Sequence, residues 1–133
     1  MAAHDKALII DSLSNRWYAT ASPGPGTTCI ATVTPARGKD RVVLTSLGWS
    51  IQNVTLLGTA ATSTLQVSSA TIAGTVFGSW RIRPSNIGGD QDCWNTQYTG
   101  KKGVALCVAW LGPSASVSQD VSIAGWFDTM SDG

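Results

Sequence analysis

The chain has 133 residues, the length of one ordinary domain, and a formal net charge of +1. That balance gives no reason to expect nucleic acid or an acidic membrane surface as a partner. Charged residues make up only 13% of the chain, about half the usual share, and every acidic residue is Asp, so part of the surface is expected to lie against a partner.

Residues 1–15 differ from the rest. They hold the lone histidine, His4, and a short apolar knot that includes Leu8, Ile9 and Ile10, followed by polar residues. This segment reads as an N-terminal arm, with residues 16–133 forming the domain. The knot is too short for a signal-peptide core, and no stretch approaches the ~20 apolar residues of a membrane span, so no membrane partner is expected. Arg16-Trp17-Tyr18-Ala19-Thr20 is strand-like, and Ser22-Pro23-Gly24-Pro25-Gly26 breaks regular structure.

From Thr27 the pattern has a period of two. Cys29, Ala31 and Val33 alternate with Ile30, Thr32 and Thr34. Val43, Leu47, Trp49 and Ile51 then share one face, with Ser46, Gly48, Ser50 and Gln52 opposite. Leu65 and Val67 mark a shorter run. Val76, Trp80 and Ile82 share a face against Arg81 and Arg83, and a short strand over 93–98 follows a loop. Val104, Leu106, Val108 and Trp110 alternate with the small residues Ala105, Cys107 and Ala109. Val117, Val121, Ile123 and Phe127 point one way, with Ser118, Asp120, Ser122 and Trp126 the other. About eight strands at this spacing, with no long helical period, predict an all-β fold: a two-sheet antiparallel β-sandwich of jelly-roll type.

Few residues suit chemistry. His4 lies in the arm, away from any plausible Ser-His-Asp or Cys-His site, so no catalysis is expected. Asp90 and Asp92, after Gly88-Gly89, read as a solvated turn, with calcium the rival reading. Cys29, Cys93 and Cys107 are odd in number and lack zinc spacing; they read as free thiols. No cofactor is implied. Of six tryptophans, Trp49, Trp80 and Trp110 read as core. Trp17, Trp94 and Trp126 fall where a neighbouring subunit, a sugar ring or solvent would lie, and an interface is favoured over a carbohydrate site.

The order of features over residues 42–128 resembles the small jelly-roll proteins of tailed-phage virions, of the capsid decoration or cement type. The resemblance rests on Val42-Val43-Leu44-Thr45-Ser46-Leu47, Leu65-Gln66-Val67, Trp80-Arg81-Ile82, Gly103-Val104-Ala105-Leu106-Cys107-Val108 and Val121-Ser122-Ile123-Ala124-Gly125-Trp126. It implies a non-enzymatic protein made in the host cytoplasm and carried in the virion. Such a protein forms a homo-oligomer, with a trimer favoured, and clamps the major capsid protein or another virion protein. The resemblance carries no binding residues across; the chain's own pattern of an apolar knot, a strand apolar on both faces and outlying tryptophans makes Leu8, Ile9, Ile10, Trp17, Ala105, Cys107, Ala109 and Trp126 the interface candidates. The alternative is a carbohydrate- or receptor-binding module.

Overall fold

The computed structural model describes residues 15–23, 27–53, 62–83, 89–111 and 117–129. Leu8, Ile9 and Ile10, and with them the expected arm, lie outside the described residues.

Eight strands follow in order: β1 (Arg16–Ala21), β2 (Ile30–Val33), β3 (Arg41–Asn53), β4 (Ser63–Ser69), β5 (Val76–Ile82), β6 (Gly89–Thr99), β7 (Leu106–Leu111) and β8 (Val117–Asp128). They form two four-stranded antiparallel sheets, in the orders β1-β8-β3-β6 and β2-β7-β4-β5. The pairings are nested: β4 with β5, β3 with β6, β2 with β7 and β1 with β8. This nesting is that of a strip folded into a hairpin and wrapped around a core, the jelly-roll arrangement.

The core is what the period of two predicts. Leu44, Leu47, Ile51, Val121 and Ile123 of the first sheet meet Leu65, Val67, Leu106, Val108 and Trp110 of the second, all essentially fully buried. Two irregularities shift the expected faces. A bulge around Thr45, between Leu44 and Ser46 in the register with both β6 and β8, turns Val42 and Leu44 inward and Val43 outward. Val43 stays buried all the same, with Trp126 and Thr99 as its cross-strand partners. A second shift, at Val67/Ser68, places Val76 opposite Ser68, so Val76 is exposed and Phe77 packs on the core. A bulge inserts one residue and so reverses which side chains face inward beyond it.

Close approach explains Gly125. A Cβ there would lie 1.8 Å from the Val43 carbonyl oxygen and 2.8 Å from the Trp17 ring, so the β3 bulge and Trp17 both occupy the space a side chain needs. Gly103, with φ +71, adopts a left-handed conformation where the turn after β6 meets Gly38.

Candidate functional site

The outer face of the β1-β8-β3-β6 sheet is built from alternate residues of four strands. Across it, Ser50 is flanked by Asp120 and Gln91, Gly48 by Ser122 and Cys93, and Ser46 by Ala124 and Asn95. On the β1 side, Thr20 stands opposite Ser122, Tyr18 opposite Ala124 and Arg16 opposite Trp126. Between Gln52 at one end and Trp126 at the other, the two central strands therefore present mostly small side chains, while the flanking strands carry mostly larger ones. Burial follows this division over most of the face: Ser46, Gly48, Ser50, Asp120 and Ala124 are half-buried, whereas Arg16, Tyr18, Thr20, Gln91, Cys93, Asn95 and Gln97 are exposed, and on the central strands Ser122 and the end residues Gln52 and Trp126 are exposed as well. A central floor lower than its two rims is a trough running along the strands.

Three depressions mark the trough. One of about 320 Å³ is lined by Ser50, Gln52, Gln91 and Asp120, among others. It adjoins one of about 220 Å³ that shares Ser50, Gln91 and Asp120 and extends over Gly48 and Ser122. The third, of about 370 Å³, begins at Ala124, the next outward position of β8, and is bounded by Arg16, Thr45 and Trp126. Tyr18, at 70% exposure, and Trp126, at 39%, stand at this end. They lie on a cross-strand diagonal, a spacing that aromatic side chains can bridge.

Asp120 organises the opposite end. Its carboxylate accepts hydrogen bonds from the hydroxyls of Ser22 and Ser50, the latter at 2.9 Å, which ties the segment after β1 to β3. Its backbone carbonyl accepts the indole N–H of the buried Trp110 at 3.1 Å. The floor is thus anchored directly to the core.

The remaining expected residues fall elsewhere. Trp17 faces inward, half-buried, with its ring centroid 6.4 Å from that of Phe127 and its Nε1 donating to the Trp126 carbonyl. Trp94 is half-buried too, packed 5.4 Å from Trp49 and 5.1 Å from Trp80. Of the three tryptophans expected outside the core, Trp126 alone is exposed. Cys107 and Ala109 are buried and Ala105 half-buried within the single chain. The β4–β5 connection folds back over the neighbouring β4: Gln66 Nε2 donates to the Ile72 carbonyl, Ser68 Oγ to the Thr71 carbonyl, and the Ala70 amide to the Ala105 carbonyl. Cys107 and Ala109, two of the expected interface residues, are thus covered within the chain itself.

Asp90 and Asp92 do not sit in a turn but on β6, because polar residues are tolerated along a sheet edge that neither layer closes. Asp92 is engaged locally: it accepts from the Trp94 indole at 3.0 Å and from the Cys93 amide. Among the described residues, no three His, Cys, Asp or Glu side chains are grouped to hold a metal ion. No helix among them is long and apolar enough to cross a membrane. The trough itself escaped the sequence reading, because Tyr18 and Trp126 come from opposite ends of the domain and meet only through the β1–β8 pairing.

No protein-family profile matches the chain, and no curated protein sequence matches it. Among solved structures, latent PorU from Porphyromonas gingivalis, described as dimeric, is similar over 90% of this chain, with 9% identity and a TM-score of 0.52. The chain spans 13% of that protein's length. A CBM4 structure is similar over 80% of this chain and 66% of its own, with 11% identity and a TM-score of 0.38. The Yersinia pseudotuberculosis-derived mitogen is similar over 80% of this chain and 93% of its own, with 18% identity and a TM-score of 0.31. The likeness to PorU, at 9% identity, is one of fold alone, that of the two-sheet β-sandwich described above.

Proposed function

We propose that the chain is a non-enzymatic structural protein of a virus particle, a decoration or cement protein of the tailed-phage type. It oligomerises, with a trimer favoured, and binds the particle surface through the major capsid protein or another virion protein. The observation that carries this reading is the outer face of the first sheet. From Ser118 to Trp126 and across the neighbouring strands its charged side chains are Arg16 and Asp120, with Asp90 at the rim of one depression, yet it exposes two large aromatics. Broad, charge-poor faces with a few aromatic anchors suit protein docking. The test is direct. Particles purified from an infected host should carry the chain in fixed stoichiometry, and the free protein should have the mass of three protomers in light scattering. A monomer that is absent from purified particles would overturn the reading.

A second reading, a carbohydrate- or receptor-binding module, is favoured by Tyr18 and Trp126 standing beside hydroxyl and amide side chains. Indole and phenol rings stack on sugar rings through their electron-rich faces, while polar groups fix orientation. Binding of the isolated chain on a glycan array would support it, and an array without signal would count against it.

A further inference from the structure

We propose that the trough on the outer face of the β1-β8-β3-β6 sheet binds a neutral, unbranched oligosaccharide lengthwise, a proposal that rests on the second reading above. Five outward positions of β8, from Ser118 to Trp126, set its length at ~27 Å for a rise of roughly 3.4 Å per residue, enough for several sugar rings in a row. At one end, Tyr18 and Trp126 offer two exposed aromatic surfaces on a cross-strand diagonal, with the depression bounded by Arg16, Thr45 and Ala124 beside them. The polar end adds Ser50, Gln52, Gln91 and a second carboxylate, Asp90, to that of Asp120. Each oxygen of the Asp120 carboxylate has a second lone pair beyond the one used by Ser22 or Ser50, so it can still accept from a sugar hydroxyl.

The chemistry selects the ligand class. The floor is a sheet face whose backbone groups are already paired, so an extended peptide finds no free strand edge there. Nor does an apolar helix find a pocket, because the floor is Ser46, Gly48, Ser50, Ser122 and Ala124. A polyanion would run over Asp120. What the surface does offer is aromatic faces at one end and neutral hydroxyls and amides along its length, which match a chain of polyhydroxylated rings.

The test is calorimetry of the whole chain against hexasaccharides and disaccharides derived from cellulose, xylan, laminarin, starch and chitin. At least one hexasaccharide should bind, more tightly than its disaccharide. Tyr18→Ala and Trp126→Ala should each weaken it at least tenfold, and Ala124→Trp, which fills the floor, should abolish it. Tyr18 is exposed enough that its truncation leaves the melting temperature unchanged, which separates a binding loss from a folding loss. Hexasaccharide binding that survives all three substitutions would leave the carbohydrate reading standing and overturn the trough as its site. The absence of binding by any hexasaccharide would overturn both. If Trp126→Ala instead lowers the oligomeric state of a chain that binds no sugar, the trough belongs to a second copy and the proposal fails.

Discussion

Cys29 shows how one side chain records both burial and charge. It is fully buried just before β2, and burial, with the Asp120 carboxylate adding to it, pushes its thiol up from 9.0 to about 11. A hydrogen bond from the Val121 backbone opposes the shift without reversing it. A raised acid pKa means that the folded state holds its proton more tightly than the unfolded state does. The resulting stability is complete below pH 9 and is lost as pH rises towards 11. Denaturant titrations at neutral pH and at pH 10 to 11 should therefore show a larger loss for wild type than for Cys29→Ala. At neutral pH, iodoacetamide should modify the exposed Cys93 first, with Cys29 and Cys107 reacting only on unfolding; mass spectrometry of timed samples checks this. The inward placement of Cys29 was legible from its alternation with Ile30. The charge of Asp120 beside it was not, because nothing local links the two segments.

At the scale of strands, the tryptophans form a connected series from the core to the open edge between β5 and β6. Trp110 packs on Trp49 at 5.8 Å, Trp49 on Trp94, Trp94 on Trp80, and Trp80 on Tyr98 at 6.2 Å. Exposure grades along it, from Trp110 at 1% to the half-buried Trp80. Trp110→Ala removes a fully buried aromatic and a hydrogen bond, and should cost about 3–5 kcal/mol. Trp80→Ala should cost clearly less, since solvent already reaches that ring. Equal losses in urea titrations would contradict this gradient. The alternation of apolar residues revealed the inner faces of most strands, with Leu106, Val108 and Trp110 the plainest case. It misplaced Val43 and Val76 for one physical reason: a bulge reverses the phase of a strand, and no residue type at Thr45 or Phe77 announces it. Trp94 was misjudged because its neighbours in sequence are polar, while the rings that half-bury it come from β3 and β5.

For the molecule as a whole, eight strands in two antiparallel sheets were legible from strand spacing and turn residues, whereas the trough required knowing which strands are neighbours. That neighbourhood also dictates how the chain must find its fold. The nested pairings form a series of ever larger loop closures. The β4–β5 hairpin closes locally, and each further pair spans a longer intervening chain until β1 meets β8. Longer loops cost more entropy to close, and folds dominated by distant pairings are slow, on the scale of milliseconds to seconds. Assembly outward from β4–β5 would leave β1 docking after the rate-limiting barrier. Stopped-flow kinetics of two substitutions can read this order. Val67→Ala, in β4, should mainly slow folding, whereas Ala19→Gly, in β1, should mainly speed unfolding and leave the folding rate nearly unchanged. The opposite pattern would place the nucleus at the chain ends. In the expected order, the strand that carries Tyr18 arrives last, so the aromatic end of the outer face is completed only when the rest of the sandwich is already formed.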